Sequence, residues 1–158
     1  MSVLAVVVTV SDRSAAGLRD DTSGPVAVSA LRDAGFDCED AVIVADGAAP
    51  VEGALRAALA AGARLVVTTG GTGLSLRDET PEGTERVLER HVPGIAEELR
   101  RRGAAEKPAA MLSRGVAGVA GGALIVNLPG SPNAVASGIP VILSVARHVL
   151  DQLSGGDH

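Results

Sequence analysis

Leu65-Val66-Val67-Thr68-Thr69, followed at once by Gly70-Gly71-Thr72-Gly73, decides the fold of this 158-residue chain. The run has no polar–apolar alternation and is rich in β-branched residues, which predicts a strand covered on both faces and stopped by a glycine-rich loop. The same pattern recurs on either side. Val3 to Val10 is a first strand, Ala41 to Ala45 a second, and Ala123 to Leu128 a fourth. Between them lie helical spacings. Val26, Ala27, Ala30, Leu31 and Ala34 recur with helical period up to Gly35, and Pro50 opens a helix through Leu55, Ala58 and Leu59 to Gly62. Thr80-Pro81-Glu82 predicts a helix start with Thr80 as N-cap and Pro81 at the first helical position. Pro93 opens another helix through Arg102, and a last one runs from about Ala134 to Leu153 with an interruption expected near Gly138-Ile139-Pro140. Residues 104–121 are rich in Ala and Gly and give no clear pattern. Strands alternating with helices form right-handed βαβ units. The expected fold is α/β: a doubly wound, mostly parallel sheet with helices on both faces. No repeat or linker divides the chain, so one domain is expected over 1–153, with a mobile tail over 154–158.

Composition narrows the function. Hydrophobic residues make up 46% of the chain and aromatic residues 1%, with Phe36 the only Phe and no Trp or Tyr, so the core must be aliphatic. Disorder and a disulfide scaffold are excluded by the apolar fraction and the single Cys38. A net charge of −5 argues against a general grip on nucleic acid, and a stacking platform for single strands has no residues to build it. Arg100, Arg101 and Arg102 follow Glu97 and Glu98 on an expected helix and are read as a solvated face. No stretch predicts a membrane span, no basic leader precedes the first strand, and the cytoplasm is the expected compartment. His91, His148 and His158 have no metal-ligand spacing, and Cys38 lacks a CxxC partner.

The chemistry is expected at the carboxyl ends of the strands. Those ends carry Ser11 and Asp12, then Asp46, then Gly70 to Gly73, then Pro129, Gly130 and Ser131. Asp78 follows the third loop, just before the Thr80 helix start. A dinucleotide fingerprint is incomplete, since Leu76 stands where its third Gly belongs. A Walker loop is excluded because the chain's single Lys107 follows Glu106. What remains is a loop whose bare amides suit phosphate oxygens, or a tight structural turn. Asp46 and Asp78 facing one another would suit Mg²⁺ carried by phosphates. Alternatively, Asp46 serves a turn with Gly47 and Asp78 pairs with Arg77 or caps the helix.

Thr68-Thr69-Gly70-Gly71-Thr72-Gly73 and Arg77-Asp78-Glu79-Thr80-Pro81-Glu82 together resemble the molybdenum-cofactor biosynthesis domain of the MogA/MoaB type, also found in the gephyrin G domain. Thr9-Val10-Ser11-Asp12, Asp21-Thr22-Ser23-Gly24, Met111-Leu112-Ser113-Arg114 and Asn127-Leu128-Pro129-Gly130-Ser131-Pro132 extend the resemblance over nearly the whole chain. It implies a homotrimer and molybdopterin adenylyltransferase activity. In that reaction the terminal phosphate of molybdopterin attacks the α-phosphate of Mg-ATP, pyrophosphate leaves, and the product passes to a molybdate-insertion enzyme. Carried over by position, Asp46 and Asp78 match the two catalytic acids and would orient Mg²⁺, which comes with ATP as co-substrate; no tightly bound cofactor is implied. Thr69, Gly70, Gly71, Thr72, Gly73 and Glu82 match the ligand-binding segment, and Pro129, Gly130 and Ser131 another wall. Ser11, Asp12, Ser113 and Arg114 also fall in family motifs. Retention of Arg77, Asp78, Thr80, Pro81 and Glu82 favours an active member, whereas Gly83 stands where a helix-favouring Ala is common. The competing readings are a pterin-binding module without transferase activity, a trimeric scaffold, and a nucleotide pyrophosphatase of related fold.

Overall fold

The structure, a computed structural model, describes residues 2–156. Its seven-stranded sheet is built on β1 (Leu4–Val10), β4 (Leu65–Thr69) and β7 (Ala123–Leu128) side by side. β1 pairs in parallel with β4 and β4 with β7. Two short strands, β2 (Asp37–Cys38) and β3 (Val42–Val44), pair in parallel with β1 on its other side. The far edge is antiparallel: β6 (Ala117–Ala120) folds back on β7, and β5 (Arg90–His91) pairs with β6.

The helices are α1 (Asp12–Ala15), α2 (Ser23–Asp33), α3 (Ala48–Ala60), α4 (Thr80–Glu85), α5 (Pro93–Glu106) and α6 (Pro132–Leu153). Every residue of β4 and β7 is buried, the two-sided cover that their unbroken apolar runs require. Alternate residues divide between two cores. Ala5, Val7, Leu65, Val67, Leu124 and Val126 face α2, α5 and α6, joining Leu31, Ile95, Ile139 and Ile142. Val8, Val10, Val66 and Ile125 face α3, joining Val51, Leu55 and Ala58. Phe36 is buried in the first core, and the Arg147 guanidinium sits 4.0 Å from its ring centroid.

Several expectations change. The 104–121 stretch is ordered structure: α5 continues to Glu106, a 3-10 turn covers Pro108–Leu112, and β6 pairs antiparallel with β7. Ala and Gly carry no period, so only the tertiary partner reveals that strand. α6 runs through Pro140 without interruption. Pro140 is exposed, while Ile139 and Val141 beside it are buried and hold the helix on the sheet. Gly138 lets it approach closely, since a Cβ there would lie 2.7 Å from Leu128 Cδ2. α6 is long and apolar enough to cross a membrane by length and composition alone, with a mean hydropathy of 1.3 over its most apolar stretch. Its Val135, Ile139, Ile142, Ala146 and Leu150 are spent in the core. Ser154 and Gly156, in the expected tail, donate their amides to Leu150 and Asp151 and close α6; Asp157 and His158 lie outside the described residues.

Candidate functional site

The carboxyl ends of β1, β3, β4 and β7 meet at one edge of the sheet. Ser11 N–H donates to Val44 O at 2.9 Å, and Gly70 N–H donates to Leu128 O at 3.0 Å, stitching the loops together. Glycine is required at two of these crossings. Gly70 has φ +94°, and a Cβ on it would strike the Val10 carbonyl oxygen. Gly71 has φ +69°, and a Cβ there would strike the Thr80 hydroxyl and lie 3.3 Å from Asp46 Oδ1. On Gly130 it would come within 3.2 Å of Gly70 Cα, so these two loops touch backbone to backbone.

Thr80 does not cap α4. The N-cap position falls on Glu79, and Thr80 Oγ1 instead donates to Gly70 O at 2.9 Å, while its amide donates to Gly71 O at 3.0 Å. The threonine expected to start a helix therefore anchors the glycine loop to that helix.

Asp46 is held on three sides. Its Oδ2 accepts the Asp12 amide at 3.0 Å, its own amide donates to Asp12 Oδ1 at 3.1 Å, and its carbonyl accepts from Arg77 Nη2 at 3.0 Å. Arg77 also grips Asp12 with two bonds, Nε to Oδ2 and Nη2 to Oδ1, both at 2.9 Å. Sequence reasoning offered Arg77 as a partner for Asp78; its partner is Asp12. Asp78 neither pairs with Arg77 nor caps α4: its Oδ2 accepts the Ser75 amide at 3.1 Å. That oxygen borders Gly73, where a Cβ would lie 2.9 Å from it. The two acids thus flank the glycine loop, Asp46 at Gly71 and Asp78 at Gly73. Among the described residues, Oδ1 of each is engaged by no hydrogen bond.

Burial pushes the Asp46 carboxyl above its ordinary value, the Asp12 and Asp78 charges add to this, and the Asp12 amide and Arg77 oppose it. The Arg77 guanidinium holds Asp12 below the usual carboxylate range. Glu82 is lowered chiefly by Arg114, which it meets at 2.6 Å. Arg114 is a hub: its amide donates to Thr72 O, Nε to Gly73 O, and Nη2 to Asp78 O. Glu82 therefore acts on the loop through Arg114.

Two hollows open at this edge. A groove of about 490 Å³ runs between α5, the 108–112 turn and α6, with Leu99, Arg100, Ser113, Asn127 and Pro129 among its walls. Arg100 is not part of a solvated face: it donates to Gly115 O at 2.9 Å, whereas Arg101 and Arg102 pair with Glu98. A second cleft of about 350 Å³ lies over Ser11, Ser14, Asp21, Thr69 and Gly130. Ser131 borders both, and its hydroxyl caps α6 by accepting the Ala134 amide at 3.1 Å. No cluster of three or more His, Cys, Asp or Glu suited to a metal ion occurs among the described residues. Two carboxylates, each with an oxygen to spare, fit a cation that arrives already bound to phosphates.

Asn127 went unassigned from sequence. Buried at the end of β7, it donates from Nδ2 to Thr68 Oγ1 at 2.9 Å and to Thr84 Oγ1 at 3.0 Å, and accepts the Val116 amide at 3.1 Å. An amide side chain inside an otherwise apolar strand is the sequence signal that could have marked it.

Residues 6–148 match the family described as probable molybdopterin binding domain. The chain belongs to that family. A molybdenum cofactor biosynthesis bifunctional protein of Synechococcus elongatus is 42% identical over 156 residues, covering 99% of this chain and 49% of the relative. The chain thus spans about half the length of the bifunctional relatives it matches. Molybdopterin adenylyltransferase of Pyrococcus furiosus is 38% identical over 91% of this chain and 87% of its own. Among solved structures, the molybdopterin biosynthesis Mog protein of Mycobacterium ulcerans superposes with a TM-score of 0.91 at 45% identity, covering 96% of this chain and 99% of the other. MoaB of Thermus thermophilus gives 0.89 at 40% identity, with 97% of each chain covered. The molybdopterin binding domain accordingly has the α/β fold expected from its strands, with an antiparallel hairpin added at one edge.

Proposed function

We propose that the protein is a molybdopterin adenylyltransferase of molybdenum cofactor biosynthesis. The observation that carries this is the pair of carboxylates, Asp46 and Asp78, flanking a loop in which a Cβ on Gly71 or Gly73 would meet the Thr80 hydroxyl or the Asp78 carboxylate. Relatives named as adenylyltransferases, 35% and 38% identical, support it. ATP enters with Mg²⁺, which offsets charge on its phosphates; Asp46 and Asp78 would hold that Mg-ATP through their unengaged oxygens. A terminal phosphate oxygen of molybdopterin forms a bond to the α-phosphorus as the bond to the bridging oxygen of the β-phosphate breaks, and pyrophosphate departs. The chain's contribution is positioning and charge stabilisation, with no covalent enzyme intermediate. Amides of Gly71, Thr72 and Gly73 cradle phosphate oxygens; Ser11, Ser113, Pro129, Gly130 and Ser131 line the hollows on either side. Asp12 acts by fixing Asp46, and Glu82 by fixing Arg114. On this reading the protein works in the cytoplasm as a homotrimer and passes its product to a molybdate-insertion enzyme.

Incubation with molybdopterin and Mg-ATP, followed by mass detection of the adenylylated pterin, tests the reaction. Asp78→Asn should lower turnover by roughly two to four orders of magnitude while molybdopterin still binds. Undiminished turnover in that variant removes Asp78 from the mechanism, and a wild-type protein that binds pterin without forming product is a binding module.

A further inference from the structure

Four consecutive peptides of the glycine loop share one pattern. The carbonyls of Gly70 and Gly71 accept from the Thr80 hydroxyl and amide, at 2.9 and 3.0 Å. Those of Thr72 and Gly73 accept from Arg114, through its amide at 2.7 Å and its Nε at 2.9 Å. Among the described residues, the amides of Gly71, Thr72, Gly73 and Leu74 donate to no acceptor, although Thr72 is only 5% exposed. Every oxygen of the run is engaged and every N–H is spare. Amides left unpaired in a folded chain are rare, and a run of them suits an anion.

In a trans peptide the carbonyl and the following N–H point to opposite sides of one plane. A grip on the Thr72 and Gly73 oxygens therefore fixes the Gly73 and Leu74 N–H groups, turned away from Arg114. The guanidinium behind the Gly73 carbonyl also strengthens the dipole whose positive end is the Leu74 amide. The same side chain reaches Asp78 O from Nη2 at 2.8 Å and Glu82 from Nη1 at 2.6 Å, a spread of donors that a lysine lacks. Arg114 is itself anchored on both flanks. Arg100 of α5 donates to Gly115 O at 2.9 Å, and the Val116 amide donates to Asn127 Oδ1 of β7 at 3.1 Å.

We propose that Arg114 is a positioning residue that aims the free amides of the glycine loop without touching the substrate. Its main chain fixes the Gly73 N–H and its side chain the Leu74 N–H, while the bond to Asp78 O keeps that acid in register with them. The choice of phosphate as the anion rests on the adenylyl-transfer reading.

Calorimetric titration with Mg-tripolyphosphate at fixed ionic strength reads the loop without turnover. Arg114→Ala should bind it about tenfold more weakly than wild type. Arg114→Lys keeps the charge and lacks the planar fork, so its affinity should stay close to that of Arg114→Ala; it carries the comparison if Arg114→Ala fails to fold. Added guanidinium should return Arg114→Ala toward wild-type affinity, and methylammonium should not. Wild-type affinity in Arg114→Lys, or equal recovery with both cations, means that charge alone suffices and overturns the inference. An unchanged affinity in Arg114→Ala with only a lowered melting temperature overturns it too, as does failure of tripolyphosphate to bind wild type. A wild-type protein that binds tripolyphosphate and forms no adenylylated pterin overturns the adenylyl-transfer reading and leaves the role of Arg114 standing.

Discussion

Gly83 shows how far one residue's reading depends on its neighbours. From propensity alone, Gly inside a helix costs about 1 kcal/mol relative to Ala, so Gly83→Ala looks stabilising. In the fold, a Cβ at that position would lie 2.6 Å from the Ala48 carbonyl oxygen and 2.9 Å from Val51 Cβ. α4 rests directly on the start of α3, and the added methyl has nowhere to go. Gly83→Ala should therefore destabilise the protein by about 1–3 kcal/mol in urea unfolding, the cost of overpacking. Gly71→Ala meets two obstacles, the positive φ and the Thr80 hydroxyl. It should abolish most transferase activity while substrate-independent stability falls by about 1–3 kcal/mol, readable by comparing turnover with thermal melts.

Among the elements, α5 offers a test of charge. Glu98 meets Arg101 at 2.7 Å and Arg102 at 2.8 Å, and these guanidiniums hold its carboxyl down at about 2, against an ordinary 4.5. A lowered carboxyl stabilises the fold above its unfolded value and loses that contribution as pH falls toward the folded one. The melting temperature of wild type should thus exceed that of Glu98→Gln near neutral pH, and the gap should close between about pH 4.5 and 2. The pair is solvent-exposed, so the gap should also shrink in high salt. Elements also set the limit of what the residues alone disclose. β1, β4 and β7 were legible because continuous apolar runs have one outcome in a sheet covered on both faces. β6, reading Ala-Gly-Val-Ala, was not, because small residues carry no period and only the partner β7 makes them a strand. Asp46, Asp78 and the glycine loop were legible from their places after strands. The reciprocal bonds of Asp12 with Asp46, and the use of Thr80 as an anchor rather than a cap, arise from contacts between segments distant along the chain.

At the scale of the whole molecule, an almost wholly aliphatic interior has an optical consequence. With no Trp, no Tyr and Phe36 alone, the free protein should give almost no near-ultraviolet circular dichroism. Binding of molybdopterin in a chiral pocket should create a band that belongs to the ligand alone. Asp78→Asn should preserve that band while losing turnover; disappearance of both would assign Asp78 to binding. On the proposed function, a flat ring would have to meet apolar walls such as Leu99 in the larger groove, since no aromatic side chain lines either hollow.

The meeting of Gly70 and Gly130 bears on both compartments at once. Pro129 faces one hollow, Gly130 the other, and Ser131 both, so the partition between them is a single thickness of peptide. A methyl added at position 130 would press on Gly70 Cα at 3.2 Å and so displace a wall shared by both hollows.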